Sequence, residues 1–398
     1  LMFKERELLK KVIPCLRSSE PIFIEGIRGV GKSTLLKHIY NKVETNNKLF
    51  LDFENPINRK YFEGENFERI KSSLEILGLN FENEKAYIFL DEVREISNLI
   101  SAINYFVKTY NVKFLLTSSV CSPKFKIETL QDNMILFELL PLSFKEFLSF
   151  KGAKIKPPAE ERGITRQIYD VLSNMYEEYI LFGGFPEVVL KKTIDEKRET
   201  IENIFSSFFK FDVVQFSSFR KSEAIRDLML LLMQRVGQKL DVQRLSEDIH
   251  LSRATTYEYI SFLEKAHFIK TVNPISFNNN LEIKKTWKVY VCDTGLINNF
   301  VRISEEDLFK NSVFQNIRGN EDLYYYQKKS GASIDFVIKN KAYNVKISPK
   351  RADISRLKRL SVNVGAKESK IISKNYSEYE DVIYAFMLWS FICCIEPI

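Results

Sequence analysis

The sequence lacks the features that mark secreted, disulfide-built or membrane-spanning proteins. Its five cysteines are odd in number and scattered without metal-site spacing, so we expect a reducing compartment and no disulfide framework. The segment Phe3–Leu16 is charged and amphipathic, unlike a secretory signal, and the apolar run Val382–Ile395 is shorter than the roughly 18 residues that span a bilayer. These absences predict a cytoplasmic protein without a membrane anchor. The cysteines are Cys15, Cys121, Cys292, Cys393 and Cys394.

The composition is that of a folded protein, with 45% hydrophobic and 28% charged residues. A chain of 398 residues is too long for one compact core, so we expect two to four domains. The net charge of +7 is mildly basic. It permits contact with nucleic acid but does not require it, because the neutralisation of phosphates depends on local patches.

The most informative motif is the glycine-rich stretch Gly26–Thr34. It follows the apolar run Ile22–Ile24, a predicted buried strand, and precedes Leu35, Leu36 and Ile39, which recur at helical spacing. A strand, a loop and a helix in this order are the context of a phosphate-binding loop. Its glycines let backbone N–H groups turn inward around the phosphates, and the helix directs its positive end at the same charge.

Two residues supply the predicted chemistry of this loop. Lys32 is expected to reach the β- and γ-phosphates, and the Ser33 hydroxyl is expected to ligate magnesium. The predicted cofactors are therefore ATP and magnesium. The predicted phosphate-binding residues are Gly26, Ile27, Arg28, Gly29, Val30, Gly31, Lys32, Ser33 and Thr34.

An acidic pair ends the apolar run Tyr87–Leu90, which is typical of a central parallel strand whose tip faces the nucleotide. Asp91 is expected to hold magnesium through water, and Glu92 to polarise the water that attacks the γ-phosphate. A further apolar run, Phe114–Leu116, ends in hydroxyl residues. Thr117 or Ser118 could sense the γ-phosphate there, or the hydroxyls could simply cap a turn.

The order of patterns along the chain predicts an α/β protein of four parts. Apolar strands alternate with helical patterns in residues 1–153, which predicts a parallel sheet around the phosphate-binding loop. A charged, Pro-containing linker leads to a helical lid or connector, residues 164–233, which the segment Phe182–Pro186 interrupts.

Residues 234–292 have the outline of a winged helix. Two helical patterns, Val242–Ile249 and Arg253–Leu263, are followed by strand candidates Phe268–Val272 and Trp287–Val291 on either side of the polar loop Asn278–Asn280. Such a module either reads DNA or serves only for packing and protein contacts. If it binds DNA, bases would be contacted by Arg253, Thr255, Thr256 and Tyr257, and phosphates by Lys284, Lys285 and Lys288.

Residues 293–398 alternate strands and helices. Three strands are predicted, at Leu323–Tyr326, Ser333–Ile338 and Ala342–Ile347. An acid on one strand, Asp335, and a lysine on the next, Lys346, resemble the core of a restriction-endonuclease-like fold.

Together these segments resemble the prokaryotic AAA-type ATPases that couple a P-loop module to a winged helix and a C-terminal nuclease-like domain. The resemblance covers nearly the whole length, and its most distinctive elements read Pro-Leu-Ser-Phe and Gly-Gly-Phe-Pro. It implies a cytoplasmic ATPase of the archaeal type. Its markers are Gly26–Thr34, Leu90–Glu92, Leu140–Phe147, Phe182–Glu187, Asp293–Leu296 and Ile334–Phe336.

The chain departs from this pattern at informative places. Relatives commonly show Gly-Arg where this chain has Asp132-Asn133, so no arginine finger can be assigned. Relatives carry Glu-Val-Lys where it has Asn344–Lys346, and Glu-Asn where it has Lys310-Asn311. An amide and a cation cannot replace two carboxylates as ligands of a hard metal, so we expect a nuclease-like domain that does not cut DNA.

The sequence thus favours an ATP-hydrolysing switch or motor, associated with DNA through the winged helix and able to form oligomers. The first alternative is a regulatory or scaffolding protein in which bound nucleotide is structural and a protein partner is the target. An active DNA nuclease is the least favoured reading, because the acids are missing.

Overall fold

The structure is a computed structural model, and it describes residues 4–64, 66–93, 98–119, 134–154, 164–214, 222–275, 286–319 and 322–388. The chain divides into two compact units. The first consists of Leu1–Leu140, Ser207–Ser218 and Lys265–His267, and the second of Pro141–Ser206, Phe219–Glu264 and Phe268–Ile398. Several predictions lie outside the described residues, namely those for Asp132-Asn133, the linker after Lys154, the loop Asn278–Asn280, Lys284 and Lys285.

A five-stranded parallel sheet forms the centre of the first unit. Its strands are β1 (Ile22–Glu25), β2 (Lys48–Asp52), β3 (Ala86–Asp91), β4 (Val112–Ser118) and β5 (Ile135–Glu138). Their order across the sheet is β2-β3-β4-β1-β5, with every pair parallel. All seven residues of β4 are buried, as expected for a strand with both faces covered. The predicted α/β sheet is confirmed.

One helix precedes the first strand, and others lie between the strands. They are α1 (Leu9–Cys15), α2 (Lys32–Lys42), α3 (Pro56–Arg59), α4 (Phe67–Ile76) and α5 (Leu99–Thr109). The Asn66 side chain caps α4 by accepting a hydrogen bond from the backbone N–H of Arg69. The apolar sides of α4 and α5 bury Leu74 and Phe106 in one core with the strand residue Phe114. This packing holds the sheet while its carboxyl edge stays available for polar side chains.

The second unit contains most of the remaining helices. They are α6 (Phe144–Lys151), α7 (Arg166–Phe182), α8 (Pro186–Leu190), α9 (Ile194–Phe208), α10 (Ser222–Gln234), α11 (Val242–Asp248), α12 (Arg253–Lys265), α13 (Thr294–Phe300), α14 (Glu305–Ile317) and α15 (Arg351–Ser361). A π-helical segment, Phe209–Val214, follows α9 directly and belongs to the first unit. The helical region is interrupted where the sequence predicts, because α7 ends before Gly183 and α8 starts at Pro186, a favoured first helical residue.

No helix in the described ranges combines the length and apolar character needed to cross a bilayer.

One seven-stranded sheet spans the later part of this unit. Its strands are β6 (Ile269–Pro274), β7 (Lys288–Val291), β8 (Leu323–Gln327), β9 (Ser333–Ile338), β10 (Lys341–Lys346), β11 (Glu368–Ser373) and β12 (Val382–Tyr384). The order is β12-β11-β10-β9-β8-β6-β7. β6 and β7, which overlap the two strands predicted for a wing, are antiparallel, and β6 also pairs in parallel with β8. The predicted boundary at residues 292 and 293 therefore falls inside one sheet, and the four domain ranges stay predictions.

The two distinctive sequence elements Phe182–Glu187 and Asp293–Leu296 meet around a buried carboxylate. Asp293 accepts hydrogen bonds from the backbone N–H of Gly184 at 2.6 Å and of Gly295 at 2.9 Å. Burial raises the pKa of Asp293 to about 6, although these hydrogen bonds favour its charged form. A Cβ atom added at Gly183, where φ is +75°, would lie 1.8 Å from Oδ1 of Asp293. The segments Phe182–Glu187 and Asp293–Leu296 therefore pack against each other within the second unit.

This contact predicts different costs for two glycine substitutions. Gly183→Ala should lower the free energy of unfolding much more than Gly152→Ala. Gly183 has φ +75° and ψ −165°, a conformation that is nearly restricted to glycine, and an added Cβ there would meet Asp293. Gly152 lies in the left-handed region, with φ +71° and ψ +26°, and has no atom within 4 Å of an added Cβ. The left-handed strain should cost about 1–2 kcal/mol at Gly152, and overpacking should add roughly 1–3 kcal/mol to the backbone strain at Gly183. Urea unfolding measures both costs, and equal costs would contradict the tight contact with Asp293.

Candidate nucleotide-binding site

The loop Gly26–Thr34 joins the end of β1 to the start of α2, as the sequence predicts. Two of its glycines are required by geometry. A Cβ atom at Gly26 would lie 2.2 Å from the carbonyl oxygen of Leu139. Gly31, the residue before α2, has a φ of +94°, which favours glycine. The backbone can therefore curl at the helix N-terminus, where N–H groups are free to bind phosphate oxygens.

Lys32 is buried at the base of this loop. Its Nζ donates to the carbonyl oxygens of Gly26 at 2.8 Å and Ile27 at 3.3 Å, and to Oγ of Ser119 at 2.9 Å. Burial lowers the pKa of the ammonium group, and the nearby carboxylate of Glu92 opposes this. The cation is thus held in place where β1 and β4 end.

Asp91 and Ser33, the two predicted metal ligands, lie together. Burial raises the pKa of Asp91, and hydrogen bonds from Thr117 and Ser33 oppose the rise by favouring its charged form. Oγ1 of Thr117 donates to Asp91 at 2.6 Å. A carboxylate and a hydroxyl are hard oxygen donors that suit magnesium, which also uses phosphate and water oxygens. Among the described residues, no cluster of three or more His, Cys, Asp or Glu forms a metal site of another kind.

Glu92 is held by Ser119. The Ser119 backbone N–H donates to Oε1 at 3.1 Å, and its hydroxyl donates to Oε2 at 2.9 Å. The Glu92 backbone has a φ of +51°, a strained value of the kind that often occurs at functional sites. Because Ser119 also accepts from Lys32, one hydroxyl connects the acid to the loop cation.

The sequence indicates Thr117 or Ser118 as a γ-phosphate sensor or a turn cap, whereas the hydroxyl that contacts both Lys32 and Glu92 belongs to Ser119. The Thr117 hydroxyl donates to Asp91 and accepts from the backbone N–H of Glu92 at 2.8 Å, so it orients both acids. Ser118 is buried at the end of β4. Strand alternation could have revealed the partner, since residues two apart share a face and Ser119 follows Thr117 by two.

Arg28 is fixed by residues far away in the sequence. Its Nε donates to Oδ2 of Asp212 at 2.7 Å, and its two terminal nitrogens each donate to Oε1 of Glu54 at 3.1 Å. The guanidinium group also lies 5.3 Å from the ring centroid of Phe211. Burial raises the pKa of Asp212, and the contact with Arg28 opposes this. No local pattern in the sequence signals this pair.

The residues proposed for DNA contact differ in exposure. Thr256 is fully buried and its hydroxyl donates to the carbonyl oxygen of Ser252, so its predicted role in base contact is wrong. The Thr255 hydroxyl is within hydrogen-bond distance of the Ser252 hydroxyl, at 2.9 Å. Arg253 and Tyr257 are exposed near the start of α12. They remain candidates.

The predicted phosphate contact of Lys288 is also wrong. Lys288 is buried, with its Nζ 3.9 Å from Oδ1 of Asp335 and 4.8 Å from the ring centroid of Tyr325. The Nζ of Lys310 lies 3.3 Å from the same oxygen of Asp335. A single carboxylate paired with two ammonium groups does not fit a divalent cation, in agreement with the missing acids.

The Asn344 side chain is used within the sheet. Its Oδ1 accepts a hydrogen bond from the backbone N–H of Asp335 at 2.9 Å. Oδ2 of Asp335 accepts another from the N–H of Val345 at 3.0 Å. The Nζ of Lys346 lies 2.8 Å from a carboxylate oxygen of Glu306. These contacts make the predicted remnant of a nuclease centre an internally satisfied polar cluster.

The parallel sheet, the loop after β1 and the acids at the end of β3 are typical of a P-loop nucleotide-binding fold. Residues 18–148 match the family described as AAA domain. Residues 173–307 match a second family, described as a domain of unknown function (DUF8612).

Known proteins are similar to the chain over larger ranges. An uncharacterized protein of Methanocaldococcus jannaschii is 27% identical over 328 residues, covering 79% of this chain and 71% of that protein. An uncharacterized protein of Haemophilus influenzae is 24% identical over 286 residues, covering 69% and 67%. The solved Walker-type ATPase PABY2304 of Pyrococcus abyssi is similar over 75% of this chain and 96% of its own, with 13% identity and a TM-score of 0.43. A TM-score this low supports no detailed comparison.

His267 lies between two acids on neighbouring strands. Its Nδ1 is 2.9 Å from Oε1 of Glu138, and its Nε2 is 3.7 Å from Oε2 of Glu25, the residue before the loop. Burial lowers the pKa of the imidazole, but the two carboxylates outweigh burial and raise it to about 9. His267 is therefore charged at neutral pH and ties the loop strand β1 to β5.

The stability contributed by His267 should depend on pH. Because its pKa is higher in the folded chain than in the unfolded one, its contribution is complete below about pH 6.5 and is lost as the pH rises through about 9. His267→Gln should lower the free energy of unfolding by roughly 3 kcal/mol at pH 6 and much less at pH 10. Denaturant unfolding at a series of pH values measures this.

His38→Gln provides the control for this experiment. Burial lowers the pKa of His38, so its protonation changes below the window in which His267 loses its proton. Loss of stability between pH 6.5 and 9 should therefore remain in the His38 variant and disappear in the His267 variant. A pH-independent effect of His267→Gln would contradict the charged pairing.

Proposed function

We propose that this protein binds ATP with magnesium at the loop Gly26–Thr34 and hydrolyses it. The observation that carries the proposal is the convergence of Lys32, Asp91 and Glu92, which Ser119 and Thr117 link through hydrogen bonds. A buried cation beside two carboxylates at the carboxyl edge of a parallel sheet suits a magnesium-bound triphosphate.

Each side chain has a role that follows from its position. The loop N–H groups and the Lys32 ammonium bind phosphate oxygens, since Lys32 can exchange neutral carbonyl partners for charged ones. Ser33 and Asp91 would hold magnesium, which supplies positive charge to the phosphates when bound. Glu92, oriented by Ser119, positions and polarises the attacking water, while Thr117 keeps both acids aligned.

Two substitutions separate binding from hydrolysis. Lys32→Ala should weaken ATP binding by roughly tenfold or more, because a hydrogen bond to a charged group contributes about 1.5–3 kcal/mol. Glu92→Gln should still bind ATP but lower kcat by roughly 100-fold or more, since a positioned base contributes about 10²–10⁴-fold. Calorimetric titration and a coupled phosphate-release assay measure the two effects.

Lys37→Ala is the matched control for the lysine, because Lys37 is exposed on the same helix. It should bind and hydrolyse ATP like the wild type. Wild-type turnover in both the Lys32 and the Glu92 variants would rule out this site as the centre of hydrolysis.

We further propose that ATP turnover drives a switch or motor whose second unit contacts DNA through a winged helix formed by α11, α12, β6 and β7. The exposed Arg253 at the start of α12 and the exposed Tyr257 one turn later support this, because the N-terminal end of such a helix enters the major groove.

Salt-dependent binding tests the DNA contact. The affinity of the wild type for duplex DNA should fall steeply as salt rises, because phosphate contacts release counterions. Arg253→Ala should weaken binding roughly tenfold, as expected for a lost base contact of about 1–3 kcal/mol. Arg356→Ala, which removes an exposed arginine on α15, should leave the affinity unchanged. Fluorescence anisotropy at several salt concentrations measures these affinities. Equal behaviour of the two variants, or no DNA binding by the wild type, would contradict the proposal.

A further inference from the structure

Asp212 places a buried carboxylate against the phosphate-binding loop. Its side chain is 0% exposed, and its Oδ2 accepts a hydrogen bond from Nε of Arg28 at 2.7 Å. The second oxygen, Oδ1, lies 3.5 Å from a terminal nitrogen of Arg28. Asp212 is thus a fixed negative charge beside a loop whose proposed ligand is itself strongly negative.

Asp212 interacts electrostatically with the side chains that are proposed to act in hydrolysis. Arg28 and Lys32 both interact electrostatically with Asp212 and with Glu92. Glu92 and Asp212 in turn repel each other. The carboxylate of Asp212 therefore shares the two loop cations that a terminal phosphate would also need.

The backbone around Asp212 has an unusual conformation. The residue lies in the π-helical segment Phe209–Val214, which continues α9 without a break in the chain. Single π-helical turns are rare and often occur at functional sites. The ring of Phe211 in the same segment lies against the Arg28 guanidinium group. Two neighbouring side chains of this segment thus contact one loop residue.

We propose that Asp212 is a built-in competitor of the terminal phosphate of ATP, so that triphosphate binding draws Arg28 away from Asp212 and releases the segment Phe209–Val214. The inference rests on the proposed function, because it requires that the loop binds ATP. A buried carboxylate that loses its cation beside new negative charge is destabilised unless it takes up a proton, and movement of the segment when Arg28 turns to the phosphate returns the carboxylate to water. ADP, which lacks the terminal phosphate, competes less and leaves the segment in place.

This arrangement links the nucleotide state to the helix α9. The chain runs from α9 into the segment, so release of Asp212 changes the end of that helix. Arg28 then supplies positive charge to the terminal phosphate from within the loop. Arg28 would thus take the role of an arginine finger, for which the sequence offers no candidate.

The test compares Asp212→Asn with Glu54→Gln. Both remove a charged partner of Arg28 and keep the side-chain shape, but Asp212 is buried whereas the Glu54 side chain is 49% exposed. Calorimetry with a non-hydrolysable ATP analogue should show about tenfold tighter binding to Asp212→Asn, a coupling of ordinary size between two sites. Its affinity for ADP, and both affinities of Glu54→Gln, should stay near wild type.

Hydrogen exchange of the wild-type chain gives an independent readout that needs no variant. Exchange in residues 207–214 should rise when the ATP analogue is added and stay low with ADP. Unchanged exchange with the analogue bound, or weaker analogue binding by Asp212→Asn, would show that Asp212 only positions Arg28 and would overturn this inference alone. If the wild type binds neither nucleotide, the proposed function fails as well.

Discussion

The geometry of the candidate site depends on one buried ammonium group. The Nζ of Lys32 is enclosed by two loop carbonyls and the Ser119 hydroxyl, so it fixes the loop after β1 against the residue that follows β4. This is feasible because β1 and β4 are parallel neighbours whose carboxyl ends lie at the same edge of the sheet. A buried charge must be compensated, and the surrounding polar groups are the ones that the proposed chemistry uses.

The loop is surrounded by more acids than cations. Asp91, Glu92 and Asp212 are all buried near Lys32 and Arg28, and hydrogen bonds or ion pairs hold each of the three carboxylates. A polar network of this kind specifies one geometry, because displacement of any member leaves another unsatisfied. A ligand that adds negative charge would disturb this balance. The balance is the basis of the proposed link between nucleotide binding and the segment Phe209–Val214.

Local motifs in the sequence predicted the strands, the loop, the acidic pair and the helix break at Gly183, because each depends on residues that are close along the chain. The contacts of Arg28 with Asp212 and of His267 with Glu138 connect residues 184 and 129 positions apart, and only the fold brings them together. Thr256 and Lys288 were misjudged for a related reason. Their types suit DNA, but the packing of the second unit buries both.

The parallel pairing of β6 with β8 has a consequence for the architecture of the second unit. Two residue pairs, Asn273 with Tyr324 and Pro274 with Tyr325, join the antiparallel β6–β7 pair to the strands that follow. A chain cut between β7 and β8 would lose the hydrogen bonds between β6 and β8, and each of these two strands would then have an exposed edge. The β6–β7 pair and the strands β8 to β12 thus share one sheet, and only a transplanted fragment that keeps all seven strands would leave this edge covered.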